Sequence, residues 1–162
     1  MEIQRLDDKH WRRLRRLRLA ALADAPDAFG STLEQAERCD EADWRAQLVD
    51  LTTFAAVLDD DDVGMARGAP DDSRTGDAWL LSMWVAPRAR QRGIGAALVR
   101  AVVDWASAAG HRRLLLDVAD GNDAAIALYA RCGFVATGIT GSLPAPRAHI
   151  GEHQRALDLG VR

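Results

Sequence analysis

The chain has 162 residues, 48% hydrophobic and 28% charged, the balance of an ordinary globular protein with enough material for a core. A formal charge of −3 and a pI near 5.8 give no reason to expect a nucleic-acid or membrane partner. No apolar run approaches transmembrane length and the charged N-terminus lacks a signal-peptide core, so the expectation is a single cytoplasmic domain over residues 1–162.

Nearly all the cations are arginine, Lys9 being the sole lysine, and with abundant alanine this bias suggests a GC-rich bacterial genome. Cys39 and Cys132 are isolated and show no metal-ligand spacing, which fits free thiols rather than a disulfide or a metal site.

Residues 1–6 alternate and predict a short strand. Asp7 and Asp8 then place negative charge at the start of a helix over residues 9–23, with Trp11, Leu14 and Leu17 at helical spacing. Arg12, Arg13, Arg15, Arg16 and Arg18 crowd the rest of that helix and read as a solvated face, with a site for an anionic partner as the alternative. Residues 24–31, holding Pro26 and Gly30, form a loop. Residues 32–48 are helical in two pieces broken near Cys39 and Asp40. Residues 52–58 and 63–69 read as a hairpin joined by the four aspartates 59–62, which lack EF-hand spacing and suit a solvated turn. Residues 69–77 are a polar loop.

The most informative stretch is residues 79–98. An apolar strand runs from Trp79 to Val85 and breaks at Ala86 and Pro87. A basic loop with Arg88, Arg90 and Arg92 then closes on Gly93, Ile94 and Gly95 and enters a helix reaching residue 109. The first N–H groups of such a helix have no partners within it, and with the macrodipole and the arginines they form a cradle for a phosphate. The glycines remove side chains that would hold an anion off the backbone. No Gly-Lys pair exists for a P-loop, and Ala96, Ala97 and Leu98 follow Gly95 where a dinucleotide fingerprint needs a third glycine.

Leu98, Val102, Trp105 and Ala109 should face the sheet, with Gly110 ending the helix. Residues 113–119 form a strand whose run of leucines suits burial on both faces. Asp120 or Asn122 caps the next helix, which ends near Cys132 and Gly133. Asn122 and Tyr129, seven apart, would lie about 20° apart on one helical face and about 10 Å apart along it. Residues 134–139 start a strand, 141–147 form a loop, and 149–159 return as the last strand. His149 and His153 there read as surface or packing residues, with a place facing an acceptor pocket as the alternative.

Two of these features together resemble the GNAT N-acetyltransferases. Arg90 to Gly95 fits the [QR]xxGx[GA] acyl-CoA loop, and Asn122 and Tyr129 before Gly133-Phe134 are similar to the second signature of that superfamily. The element order β-αα-βββ-α-β-α-ββ matches its arrangement. The resemblance implies an α/β fold: a mixed, mostly antiparallel sheet of about seven strands, helices on both faces, and one splayed parallel strand pair. It also implies acetyl-CoA as the acyl donor. Backbone groups of Met83, Trp84 and Val85 would pair with pantetheine, while Arg90, Gln91, Arg92, Gly93, Ile94, Gly95 and Ala96 hold the pyrophosphate. Asn122 would hold the pantetheine arm and Tyr129 would reach the thioester sulfur. A phenol, with a reference pKa of about 10, can protonate a departing thiolate whose acid has a pKa near 8.5. Tyr129, the sole tyrosine, is therefore the expected general acid. Asp117 matches where some relatives carry a catalytic glutamate and is the candidate base through a water relay, with a structural or acceptor-orienting role as the alternative. A backbone N–H near a bulge at Val85 would hold the oxyanion. Phe29 is either an acceptor contact or a plug beneath its loop.

The expected activity is direct acetyl transfer to a primary amine in a ternary complex. The acceptor is a small molecule or a protein or peptide amine, and loops 24–31, 69–77 and 141–147 should shape its site. The alternatives are a catalytically weak acyl-CoA-binding or regulatory module and, weaker, a nucleic-acid-binding domain built on the arginine-rich helix. The oligomeric state is not legible; a homodimer stays open.

Overall fold

The computed structural model describes residues 1–160. The alternating N-terminus forms β1 (Glu2–Leu6), and a 3-10 turn leads into α1 (Trp11–Asp24). Asp7 caps that turn, its carboxylate accepting from the Lys9 N–H. The next two helices, α2 (Leu33–Glu37) and α3 (Glu41–Asp50), are separate because each has its own capping box, Thr32 with Gln35 and Asp40 with Asp43. Three strands follow: β2 (Thr52–Leu58), β3 (Asp61–Pro70) and β4 (Asp77–Val85). Then come α4 (Ile94–Ala108), β5 (Arg113–Ala119), α5 (Asp123–Arg131), β6 (Val135–Ser142) and β7 (Gly151–Asp158).

The seven strands make one sheet in the order β1-β2-β3-β4-β5-β7-β6, with helices on both sides. Every neighbouring pair is antiparallel except β4 and β5. That parallel pair is short, joining Asp77 to Arg113, Ala78 to Leu114 and Trp79 to Leu115 and then stopping. Its closed end is pinned by Arg113, which donates from Nε and Nη2 to the buried Asp77 carboxylate at 3.1 and 2.6 Å. Beyond Trp79, β4 turns away while β5 stays paired with β7 along its whole length. The splayed pair expected from the sequence is present.

Buried side chains of α1, the central strands and α4 form one contiguous core, with Leu14, Met65, Leu98, Leu114 and Leu116 among its most enclosed members. Small residues on β3 let α4 lie close: a Cβ on Gly68 would stand 2.5 Å from the Trp105 ring. Trp105 thus faces the sheet as expected, whereas Ala109, past the end of α4, is exposed.

Three other expectations need correction. Arg18 does not belong to the solvated face of α1 but is only 4% exposed, beside the buried Leu14 and Leu17. The last strand starts at Gly151 and leaves His149 outside, because turns at Pro144–Arg147 and Arg147–Ile150 occupy the preceding residues. The hairpin aspartates do not all face water, since Asp62 accepts from Arg13 at 2.6 and 3.0 Å. Among the described residues, no helix is long and apolar enough to cross a membrane.

Gly68→Ala should destabilise the protein by about 1–3 kcal/mol, the usual penalty for overpacking. Chemical denaturation measures this, and an unchanged midpoint would show that Trp105 moves aside freely.

Candidate active site

Where β4 leaves β5, the sheet opens into a cleft of about 1970 Å³. Its walls come from β4, the start of α4, the end of β5, α5 and the loop after α1. Ala86 N–H donates to Val63 O at 2.7 Å, so alternation commits Trp84 to β3 and turns the backbone of Met83 and Val85 toward the open edge. Trp84 therefore offers the cleft its indole rather than its amide. Its Nε1 donates to Asp24 at 2.9 Å.

The turn into α4 is built for close backbone approach. Gln91 and Gly93 both take left-handed conformations, with φ of 61° and 75°. Gly93 caps α4 without a side-chain bond, and the first bond of the helix is Ala97 N–H to Gly93 O. The N–H groups of Ile94, Gly95 and Ala96 have no partner among the described residues. Gly95 is needed for space, because a Cβ there would come within 3.0 Å of Leu128 and 3.3 Å of Met83. These features fit a diphosphate at the helix end with an amide-bearing arm along β4.

The arginines are arranged differently from expectation. Arg90 donates from Nε to Val85 O at 3.0 Å and from Nη2 to Asp24, which ties it back across the cleft wall. It also takes up a backbone acceptor that the sequence assigned to pantetheine. Arg92 is exposed and does not line the cleft, whereas Arg100 and Arg131 do. Sequence reasoning passed over both because they lie outside the loop motif; Arg100 sits in the second turn of α4 and Arg131 in the last turn of α5.

Asn122 accepts from the Ala125 N–H at 3.4 Å and caps α5. It stands just outside the helix, so the 20° spacing with Tyr129 does not apply, yet both residues line the cleft. Tyr129 is 6% exposed, and its ring meets the edge of Phe134 at 5.9 Å. Burial pushes the phenol pKa well above its usual value, which keeps the hydroxyl protonated. The strand irregularity lies not at Val85 but at Ser82, whose φ of 54° accompanies a register shift against Met65 and Arg67.

Asp117 is exposed on β5, between the buried Leu116 and Val118. Opposite it runs β7, where Ala119 pairs with Glu152 and Asp117 with Gln154. Alternation places Asp117 and Glu152 diagonally on one face, and both line the cleft. Desolvation raises the pKa of each, and the Asp117 charge raises that of Glu152 further. Glu152 was missed because a glutamate in an alternating C-terminal strand carries no motif. His153 pairs with Asp120 at 2.6 Å on the surface and does not line the cleft.

Two of the three loops expected around the cleft reach it. Phe29 and its neighbours, residues 24–31, line one side, and Ser142 and Pro144 line another. Arg147 clasps these loops together, donating to Phe29 O at 2.8 Å, to Gly30 O at 3.0 Å and to Pro26 O. The loop at 69–77 lies at the closed end of the strand pair and contributes nothing to the lining. Phe29 is 9% exposed, so it both plugs its loop and faces the cleft.

A splayed parallel pair, an open amide edge and a bare helix N-terminus together make the cleft long and rich in unpaired backbone donors. The acetyltransferase (GNAT) family profile matches residues 12–134, and the chain belongs to that family. It is 33% identical to the streptothricin acetyltransferase of Streptomyces lavendulae over 128 residues, 79% of this chain and 64% of that protein. The chain thus spans under two thirds of that relative's length. The same fold occurs in the ribosomal-protein-alanine N-acetyltransferase of Brucella melitensis, with a TM-score of 0.81, 20% identity and coverage of 98% and 99% of the two chains. A Salmonella typhimurium protein solved with its cofactor acetyl-CoA superposes with a TM-score of 0.79 at 19% identity, covering 100% of this chain and 95% of that one.

A carboxyl whose native pKa is raised holds its proton more tightly folded than unfolded, so its ionisation costs stability as the pH rises. Asp117→Asn should therefore stabilise the protein at neutral pH and have little effect below about pH 4, where both states are protonated. Melting curves across pH would contradict this if the gain appeared only in acid. Arg147→Ala should free the loop at residues 24–31, losing charged hydrogen bonds worth at most about 1.5–3 kcal/mol each and less where the guanidinium is solvated. Limited proteolysis should then cut within that loop, and unchanged resistance would show that the clasp is dispensable.

Proposed function

We propose that the chain is an acetyl-CoA-dependent N-acetyltransferase, a single domain that transfers acetyl directly to a primary amine in a ternary complex. One observation carries the reading: the open edge of β4 at Met83 and Val85 leads to the unpartnered N–H groups of Ile94, Gly95 and Ala96. Amides recognise amides along a strand edge, and a helix N-terminus recognises a diphosphate. Family membership and the neighbour solved with acetyl-CoA support the same donor.

Bound acetyl-CoA supplies an activated acyl carbon. The chain's residues arrange the proton transfers around it. Arg100 and Arg131 add positive charge where an anionic carrier would run. Asp117, with Glu152 beside it, takes the proton that the acceptor ammonium must lose before its nitrogen attacks, directly or through water. Their raised pKa values make them stronger bases than carboxylates at the ordinary value. As the C–N bond forms and the C–S bond breaks, the Tyr129 hydroxyl gives its proton to the departing thiolate, and the second proton, shed by the nitrogen as it becomes an amide, restores the phenol. A backbone N–H of β4 at the Ser82 irregularity, rather than at Val85, holds the developing oxyanion.

The acceptor classes compatible with this chemistry include small amines, antibiotics and protein N-termini or lysines. Streptothricin belongs in any screen because of the Streptomyces relative. Thiol release from acetyl-CoA across such a panel is the primary test. Tyr129→Phe should lower kcat by about 10²–10⁴-fold, the range for a lost general acid, with acetyl-CoA affinity kept. A module that only binds acyl-CoA would be indifferent to the substitution.

A further inference from the structure

The acceptor side of the cleft holds a charge arrangement that the transfer chemistry does not use. Arg18 on α1 is 4% exposed and Arg67 on β3 is 6% exposed, and neither pairs with a carboxylate among the described residues. Arg67 donates to Ser82 Oγ at 2.7 and 3.0 Å and to Gln47 Oε1 at 2.8 Å. Arg18 stacks over the Phe29 ring at 5.2 Å, but its Nη1 is buried with no hydrogen-bond partner. Burial pushes both guanidinium pKa values down, Arg18 to about 10 and Arg67, with the Arg18 charge adding to the effect, to about 9.

Both arginines line the large cleft and also an adjoining chamber of about 170 Å³. Ser31, Gln35, Ala36, Cys39, Trp44 and Gln47 complete that chamber, and no carboxylate lines it. Trp44 is 1% exposed, and its Nε1 is a second buried donor without a partner. A purely structural role explains Arg67, which is hydrogen-bonded, but not two orphaned donors beside a charge pair uncompensated among the described residues. Isolated buried charge is strongly unfavourable unless something of opposite sign occupies the space.

We propose that this chamber binds an anionic oxygen group carried by the acceptor, so that the enzyme acetylates amines tethered to a carboxylate or a phosphonate. This rests on the acetyltransferase reading and narrows it. Of the residues lining the chamber, Arg18, Arg67 and Trp44 carry polar side-chain groups that are donors only, which match an oxyanion and repel a second ammonium. Arg67 also holds Ser82 in its left-handed conformation at the β4 irregularity. The group that would seat the anion is therefore attached to the strand that would face the acyl carbon. Loop 24–31, held by Arg147, covers the side between them.

The test compares matched acceptors on the full chain at saturating acetyl-CoA: the common α-amino acids, their α-amides and their α-aminophosphonate analogues, together with linear diamines. At least one acid or phosphonate should exceed its amide by about tenfold or more in kcat/KM, because a site left with unpaired buried donors rejects the neutral analogue. Which of the two anions wins distinguishes carboxylate from phosphonate recognition. Arg18→Met should raise KM for that acceptor about tenfold or more, keep KM for acetyl-CoA, and raise Tm by removing an unpaired buried charge. Trp44→Phe removes one donor with little change of shape and should raise the same KM less. As a readout without turnover, inorganic phosphate should raise the Tm of the wild type more than that of Arg18→Met or Trp44→Phe. Amides or diamines accepted as well as acids, or a phosphate effect identical in all three proteins, would overturn the proposal. Failure of the acetyltransferase reading itself would show separately, as no thermal stabilisation by coenzyme A.

Discussion

The structure depends on a strand pair that is pinned at one end and free at the other. Arg113 and Asp77 hold β4 against β5 where the two strands share three residue pairs. Past Trp79 the strands have no ladder between them, so backbone groups of Met83 and Val85 are left without a strand partner on that side. Unpaired strand edges inside a protein are costly unless something completes them. An extended ligand with amides of its own is the natural completion. The N-terminus of α4, whose first N–H groups are equally unpaired, continues the same unmet demand toward an anion.

Other features support this opening. Gly95 lets the helix end sit against Met83 and Leu128, and small residues on β3 let α4 lie flat on the sheet behind it. Arg90, which resembles a phosphate ligand in sequence, acts as a strut: it joins Asp24 at the end of α1 to the Val85 carbonyl. The two walls are thereby linked through one guanidinium. Ligand entry along β4 would compete with that contact, which couples the α1 loop to the carrier side of the cleft.

The fold was largely readable from the sequence because its signals are local. Capping residues Thr32 and Asp40 divide the second helical region, and the glycine loop marks the start of α4. The loop motif likewise located the helix N-terminus, and the second signature located Tyr129. What escaped was set by long-range packing. Arg18 falls on the apolar stripe of α1, four residues after Leu14 and four before Leu22, but its charge reads as solvated until the sheet that buries that face is known. Glu152 and Asp117 become neighbours only through the register of β5 with β7, about 35 residues apart in the chain. The irregularity lies at Ser82 rather than Val85, where Arg67 of the adjacent strand donates to the Ser82 hydroxyl, a long-range contact that local sequence does not show.

The account therefore stands on the unpaired N–H groups of two elements separated by a turn. Amide hydrogen exchange with and without acetyl-CoA measures them directly. Slower exchange at Met83 and Val85 on β4 together with Ile94, Gly95 and Ala96 on α4 is the result expected when one ligand spans both. Exchange at these five amides unchanged by saturating acetyl-CoA, on protein that is otherwise folded, would contradict it.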